Sequence, residues 1–153
     1  MSGKPRAIPE GFHTLTVYLS VADSSKAIDF YKRAFGAVER YRLPGPNGKG
    51  IGHAEITIGD TIVMLADECD MGLAKSPKTL AGNTAGLCLY VEDADAAFDR
   101  AVKAGAIVNR PMKTQFYGDR SGTVTDPDGY HWTVMTHVED VSPEEMMRRI
   151  QAM

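Results

Sequence analysis

The sequence has no long hydrophobic run and very little cysteine. A membrane-spanning helix needs about 20 consecutive apolar residues, and no stretch of the chain approaches that length. The opening residues, MSGKPRAIPEG, lack the apolar core of a secretory signal peptide. The two cysteines, Cys69 and Cys88, lie in unrelated contexts, which favours free thiols over a disulfide. We therefore expect a cytoplasmic protein with no membrane partner.

An excess of positive charge is also missing. The formal net charge is −3, and charged residues make up 24% of the chain, an ordinary share for a globular protein. Because proteins that bind nucleic acids or anionic membranes usually carry a basic patch, we expect neither as a partner. With 153 residues, 43% of them hydrophobic, the chain suits one domain or two small modules that share a core.

What the sequence does contain is a hairpin pattern between positions 118 and 140. β-forming residues flank the run Asp126-Pro127-Asp128-Gly129, in which proline presets φ and glycine accepts a positive φ. This pattern predicts two strands joined by a tight turn. A Gly-Asp turn that runs into a strand also occurs at 59–65, which indicates that one structural unit is present twice.

The order of predicted elements supports this duplication. Each half reads as strand, helix, strand and hairpin, with predicted ranges 14–21, 25–35, 37–43 and 53–66, then 87–91, 94–104, 107–110 and 118–137. Val21 and Val91 are 70 positions apart, and Gly36 and Gly105 are 69 apart. We predict an α+β fold of two tandem βαβββ modules that form a curved, mostly antiparallel eight-stranded groove or half-barrel with helices outside.

The predicted modules occupy residues 12–67 and 84–140. Residues 68–83 read as an irregular linker, which would let modules pair within one chain or between two chains. Ser142-Pro143-Glu144-Glu145 combines a capping serine, a first-turn proline and early acids, so residues 141–153 are predicted to form a C-terminal helix.

These residues carry a resemblance to a known family. The paired modules, with AIDFYKRAFGA after the first strand and DPDGYHW before the last, resemble the vicinal oxygen chelate superfamily of glyoxalase I, bleomycin-resistance proteins and extradiol dioxygenases. FYGDRSG together with TDPDGYHWTVMTHVEDVSPEEM is similar to its phosphonate-operon-associated, PhnB-like branch. The resemblance implies a homodimer and a small-molecule ligand or substrate, but it does not fix the chemistry, because this fold hosts many functions.

The resemblance also implies where a metal ion would bind. In metal-bearing members, four ligands come from the first and last strands of the two modules. Carried onto this sequence, those positions are Thr16, Met64, Gly86 and Thr133. Divalent metals prefer carboxylate, imidazole or thiolate ligands, and none of these residues supplies one. We therefore expect neither the family's metal centre nor another cofactor.

Strand alternation predicts which side chains line the groove. If Thr16 faces inward, every second residue along the strands does so too. The groove-facing candidates for ligand binding are then Tyr18, Met64, Cys88, Tyr90 and Met135. Such a mixture of aromatic rings and sulfur is typical of a small-molecule site. We expect Cys88 to act as a small buried hydrophobe rather than a nucleophile.

The start of the second hairpin offers further candidates. Tyr117, beside Phe116, and Arg120 combine an aromatic stack with a guanidinium that would hold an anionic or planar ligand. Pairing of Arg120 with Asp119 or Asp126 is the structural alternative.

Three polar residues are candidates for catalysis: His53, Glu55 and His131. Taken singly, His53 and Glu55 would only be solvated polar side chains at the edge of the groove. Grouped with His131 and His137, they would form a displaced metal site or an acid–base pair near neutral pH. The sequence therefore favours a small-molecule-binding protein, with a lyase, isomerase or dioxygenase-like enzyme as the alternative.

Overall fold

The computed structural model describes residues 4–72 and 74–153, which fall into two units, one ending at Leu80 and the other running from Ala81 to Met153. The first unit contains β1 (Val17–Val21), α1 (Ser24–Phe35), β2 (Val38–Pro44), β3 (Ile51–Ile58), β4 (Thr61–Asp67) and α2 (Pro77–Leu80). The second contains β5 (Leu87–Tyr90), α3 (Ala94–Ala104), β6 (Ile107–Thr114), β7 (Asp119–Thr125), β8 (His131–His137) and α4 (Pro143–Gln151).

The first unit is a four-stranded sheet with α1 on one face. The strand order is β1-β4-β3-β2, with β1 parallel to β4 and the other pairs antiparallel. Aliphatic residues on every second strand position pack beneath α1; those least exposed are Leu19, Val21, Ala54, Ile56 and Leu65. Burial of this face stabilises the unit, since each fully buried aliphatic side chain contributes about 1.5–3 kcal/mol.

The second unit repeats this arrangement. Its strand order is β5-β8-β7-β6, and β5 is parallel to β8. Asp23 and Asp93 cap α1 and α3 by accepting hydrogen bonds from Lys26 N and Ala96 N. Trp132 lies in the core of this unit, and its Nε1 donates to the Asp126 carboxylate at 2.8 Å.

The predicted fold class is therefore confirmed. Each unit has the order βαβββ, and each sheet is open and mixed, with its helix packed outside. Two strand limits differ from the prediction by more than two positions. β1 starts at Val17 rather than Thr14, because pairing with β4 begins there, and Leu15 is 87% exposed. β6 continues to Thr114 rather than ending at Arg110, because its pairing with β7 resumes after two register shifts.

The segment predicted as a linker is partly ordered by one carboxylate. Glu68 accepts hydrogen bonds from Ser76 N and from the Thr79 hydroxyl at the start of α2. The C-terminal helix α4 is capped by Ser142, whose Oγ accepts from Glu145 N. Among the residues that the structure describes, no helix is both long and apolar enough to cross a membrane.

Both cysteines are free thiols, as predicted, and both are exposed. For Cys88 the exposure corrects the expectation of a buried hydrophobe. β5 is an edge strand of its sheet, and Cys88 lies on the same face as Tyr90, which is 62% exposed. Alternation predicted this face correctly, but it did not predict that the face would be exposed.

Candidate functional site

The open face of the first sheet, opposite α1, carries one row of side chains that crosses all four strands. Backbone pairing sets Tyr18 beside Met64, Met64 beside Glu55, and Glu55 beside Tyr41. Because neighbouring positions in a row lie on the same side of a sheet, these residues share one face. Tyr18 and Met64 were predicted from alternation, and Glu55 was predicted as a polar candidate for catalysis.

A chain of polar contacts runs along this face. The Tyr18 hydroxyl lies 2.9 Å from His53 Nδ1, and the two rings are 5.5 Å apart between centroids. On the other side of the imidazole, His53 Nε2 lies 3.5 Å from Glu55 Oε1. The structure thus brings together His53 and Glu55, two of the three predicted catalytic candidates, and adds Tyr18 to them.

Glu55 is 6% exposed and is held by two further groups. Tyr41 OH donates to Glu55 Oε1 at 2.8 Å, and Arg40 Nη1 lies 3.1 Å from Oε2. A buried carboxylate requires such partners, because its desolvation otherwise costs several kcal/mol. The hydrogen bond to Glu55 raises the pKa of Tyr41, and partial burial raises the pKa of Tyr18. Both phenols therefore stay protonated at neutral pH.

Arg40 and Tyr41 were missed by the sequence analysis for a structural reason. A register shift between Glu39 and Tyr41 interrupts the alternation of β2, so that Tyr41 stands opposite Glu55. A β-bulge of this kind changes which face a side chain takes. Nothing in the sequence marks its position.

A cavity of about 850 Å³ lies next to this polar chain, within the first unit. Its walls are Tyr18 and Ser20 of β1, the end of β4 with the residues that follow it, and the glycine-rich turn that leads into β3. The side chains that bring charge or reactivity to it are Lys49, Asp67, Glu68 and Cys69. Tyr18 belongs both to the cavity wall and to the contact with His53.

The two acids in the cavity wall are already engaged in structural hydrogen bonds. Asp67 accepts from Ser24 N at 2.7 Å and from Ile51 N at 2.8 Å, which ties the end of β4 to the starts of α1 and β3. Burial raises the pKa of Asp67, but these hydrogen bonds outweigh it and the net pKa is lowered. Glu68 holds the start of α2. Among the described residues, the Lys49 ammonium has no carboxylate partner.

The second unit has a separate polar cluster on the open face of its own sheet. Asp119, only 5% exposed, accepts from Tyr90 OH at 2.9 Å and contacts His137 Nδ1 at 2.8 Å. The other imidazole nitrogen, His137 Nε2, lies 2.9 Å from Asp140. Hydrogen bonds to Asp140 and Asp119 raise the pKa of His137, and the bond to Asp119 raises the pKa of Tyr90.

The remaining candidates of the second unit are dispersed. His131 lies at the opposite end of β8 from His137, with its Nδ1 2.9 Å from the Thr125 hydroxyl. Phe116 and Tyr117 meet edge to face at 5.2 Å. Met135 is buried at 6% exposure. Tyr90 and Cys88 are therefore the more accessible of the predicted ligand-binding residues here.

Arg120 corrects one alternative of the sequence analysis. Its guanidinium forms a two-pronged ion pair with Asp95 on α3, at 2.5 and 2.6 Å, rather than with Asp119 or Asp126. Those two acids are occupied elsewhere, Asp119 by Tyr90 and His137, and Asp126 by Asp128 N, Tyr130 N and Trp132. Pairing with α3 was not visible in the sequence, because the partners are 25 positions apart.

The donor set at the four family metal positions does not fit a divalent ion. The Thr16 hydroxyl donates to His13 O at 3.4 Å, and the Thr133 hydroxyl is paired with Thr123 at 2.9 Å. Met64 offers a thioether, and Gly86 has no side chain. Over residues 4–72 and 74–153, no three His, Cys, Asp or Glu side chains are placed to hold a metal together.

The sequence match identifies the family. The model of the glyoxalase/bleomycin resistance protein/dioxygenase superfamily matches residues 12–134, most of the chain. The chain belongs to this superfamily. An uncharacterized protein of Mycobacterium tuberculosis is 43% identical over 135 residues, covering 86% of this chain and 79% of that protein.

Solved structures share the fold. TioX from Micromonospora sp. ML1 superimposes with a TM-score of 0.64 at 26% identity, covering 82% of this chain and 99% of TioX. A PhnB protein from Bacillus cereus, described as a putative 3-demethylubiquinone-9 3-methyltransferase, gives a TM-score of 0.61 at 16% identity, covering 81% of this chain and 99% of that one. At 16% identity, the second likeness extends to the fold alone.

Proposed function

We propose that this superfamily member binds a small organic molecule in the first-unit cavity. The cavity itself is the observation that carries the proposal. Its volume of about 850 Å³ lies within the roughly 300–1,000 Å³ of small-molecule sites. Its wall includes Tyr18 as an aromatic side chain and Lys49 as a cationic one.

We further propose that binding does not use the superfamily's metal centre. Two threonines, a methionine and a glycine offer weak or no ligands to a hard or borderline cation. On the second unit, Tyr90, Cys88 and Tyr117 remain proposed ligand contacts, because Tyr90 and Cys88 are exposed on an open face. Arg120 and Met135 are weaker proposals, since one is ion-paired and the other buried.

An enzymatic function is the second candidate. The Tyr18–His53–Glu55 chain favours it, because an imidazole oriented by a carboxylate and touching a phenol is suited to moving protons. The reaction would then be a proton transfer on the bound molecule, with His53 as acid or base and Glu55 as its positioning residue. A displaced metal is the other enzymatic route. Stoichiometric zinc, nickel or manganese in purified protein, abolished by His53→Ala, would replace the metal-free proposal.

The test of the binding function is a comparison of two tyrosines on the same row. Native mass spectrometry of the purified protein should detect a non-covalent small molecule. The Tyr18→Ala variant should bind the molecule at least about fivefold more weakly, since a stacked aromatic contact is worth roughly 1 kcal/mol or more. Tyr41→Phe keeps its ring and does not line the cavity, so its occupancy should match the wild type. Equal losses in both variants would contradict the cavity as the site.

For the assembly, we propose a cytoplasmic homodimer of the PhnB-like branch. Apolar residues exposed on the edge strands β2 and β6 support the dimer, as do Met147 and Ile150, which are exposed on α4. The proposed assignment to the PhnB-like branch rests on the motifs FYGDRSG and TDPDGYHW.

A further inference from the structure

We infer that Lys49 makes the first-unit cavity selective for an organic anion, a molecule with an apolar body and a carboxylate. The inference rests on the proposed binding function and names both the class of ligand and the residue that selects it. Lys49 is the cationic residue of the cavity wall, whereas the other two charged wall residues, Asp67 and Glu68, are acids. The ligand class therefore depends on which of these three charges remains available.

The charge of Asp67 is already compensated within the fold. Its carboxylate accepts from Ser24 N at 2.7 Å and from Ile51 N at 2.8 Å, so that each oxygen has a backbone donor. Ser24 is the first residue of α1, and its N–H belongs to the positive end of the helix dipole. A cationic ligand would have to compete with these donors for the same carboxylate.

The charge of Glu68 is compensated as well. Its carboxylate accepts from Ser76 N and, through both oxygens, from the Thr79 hydroxyl. Hydrogen bonds from Ser76 and Thr79 lower the pKa of Glu68, and the nearby Lys75 ammonium lowers it further. Glu68 is thus ionised at neutral pH, but its charge holds the start of α2 and has a cation beside it.

Lys49 differs from both acids. Within residues 4–72 and 74–153, no carboxylate is ion-paired with its ammonium, and it is exposed. Lysine carries its charge as a compact donor group on a flexible four-carbon stem, which shifts readily to meet an anion. Of the three charges in the wall, the positive one is therefore available to a ligand.

A closed turn holds the backbone of Lys49 at the wall. Gly45 N donates to Gly50 O at 3.1 Å, and Lys49 N donates to Pro46 O at 3.3 Å. The turn is so tight that a Cβ on Gly45 would lie 2.2 Å from Lys49 O. The start of the side chain is fixed by this turn, while its end remains free to move. These hydrogen bonds use the backbone, so they persist when the lysine side chain is replaced.

The uncharged part of the wall suits the body of an organic molecule. It is made of apolar or small residues, which include Tyr18, Pro46, Ile51, Ala66 and Ala74. A small inorganic anion would gain little from such a surface, because it has no apolar area to bury. An anion with an aromatic or aliphatic body combines contact with this surface and attraction to Lys49.

The experiment compares 2-naphthoate, 2-naphthamide and 2-naphthamidine, which share one ring system and carry a negative, no and a positive charge. Their dissociation constants are measured by calorimetry at about pH 7.5, where the acid is ionised and the amidine is protonated. Naphthoate should bind about fivefold more tightly than naphthamide, as expected for an ion pair at a partly exposed site. Naphthamidine should bind more weakly than naphthamide.

The Lys49→Met variant removes the charge and keeps an unbranched stem. The preference for naphthoate over naphthamide should fall to about twofold or less, while the affinity for naphthamide should stay within about twofold of the wild type. Lys78→Met is the matched control, because Lys78 is exposed on α2 of the same unit and is not part of the wall. This control should keep the full preference.

Salt gives a second readout that needs no substitution. Raising the sodium chloride concentration from about 0.05 M to about 0.5 M should weaken the binding of naphthoate to the wild type, because the ion pair is screened. The same change should leave the binding of uncharged naphthamide nearly unaltered. In Lys49→Met, naphthoate should lose most of this salt dependence.

The outcomes separate this inference from the proposed function. If Lys49→Met keeps the full preference for naphthoate, or if Lys78→Met loses as much of it, Lys49 does not select the ligand. The inference also fails if the wild type binds all three probes equally. In these cases the cavity proposal stands, provided that Tyr18→Ala weakens all three probes. If none of the probes binds the wild type, the proposed cavity function fails and the inference with it.

Discussion

At the residue scale, Glu55 organises the open face of the first unit. The carboxylate is almost fully buried and is surrounded by Arg40, Tyr41 and His53. Buried charges persist only where donors compensate for the lost hydration. The charge on Glu55 therefore fixes the positions of three neighbours at once, and through His53 it reaches Tyr18.

Replacement of this charge should be costly. In Glu55→Gln, the neutral amide cannot compensate the positive charge of Arg40. The NH2 group of the amide would also face a hydrogen-bond donor that Glu55 now accepts from. We expect the free energy of unfolding to fall by about 1–3 kcal/mol, measured by urea denaturation. Glu92→Gln, at an exposed position, is the matched control and should change it by less than about 0.5 kcal/mol. An equal effect of the two variants would show that the Glu55 network contributes nothing to stability.

His137 should give the second unit a pH-dependent stability. Hydrogen bonds to Asp140 and Asp119 raise the pKa of His137 in the folded protein. A raised pKa means that the folded state binds the proton more tightly, so its stabilisation is complete below the unfolded value of about 6.5. It is lost as the pH rises through the higher folded value.

Thermal unfolding at a series of pH values checks this sign. The melting temperature of the wild type should decline as the pH rises above about 6.5. His137→Gln should remove the contribution of His137, so its melting temperature should decline less over the same pH range. His13→Gln serves as the control. A decline of the same size in His137→Gln would mean that another group is responsible.

At the scale of elements, the two units make the same connection between strand and helix with different side chains. Each must connect the end of its last strand to the start of its helix. Asp67 accepts from Ser24 N in the first unit, while in the second the Thr136 hydroxyl accepts from Ala94 N and donates to Val91 O. The connection is kept because the first backbone N–H groups of a helix need acceptors.

The entry to β7 depends on a glycine. Gly118 has φ +100°, and a Cβ placed there would lie 2.0 Å from Glu139 O. Gly118→Ala should therefore lower the free energy of unfolding by about 2 kcal/mol or more, because it adds a steric clash to a strained φ. Gly86→Ala has nothing within 4 Å and no positive φ, so it should change stability by less than about 0.5 kcal/mol. Chemical denaturation of both variants makes the comparison.

At the scale of the whole molecule, each unit leaves apolar residues on an exposed edge strand. Val38 and Leu43 on β2 and Ile107 and Val108 on β6 are all at least 47% exposed. Open strand edges and apolar patches of this kind are commonly covered by another chain. The proposed homodimer would account for them.

Sedimentation at micromolar concentration should therefore give twice the mass of the chain. Placing charges on both edge strands, in Val38→Lys with Ile107→Lys, should shift the protein toward monomer by at least about tenfold in dissociation constant. Arg33→Glu, which changes the charge at an exposed helix position, is the control and should remain dimeric. A wild-type monomer would contradict the proposal.

The sequence by itself determined the repeated βαβββ order, the helix caps and the side of the sheet on which Tyr18 and Met64 lie. These features are encoded locally, in alternation, in capping residues and in a constant spacing of 69–70 positions. Only the tertiary structure decided the partners of Arg120, the bulge that brings Tyr41 to Glu55, the cluster at Asp119 and the cavity beside Tyr18. Each of these joins residues that are distant along the chain or lie beyond an irregular register, and no local pattern specifies which side chains such contacts bring together.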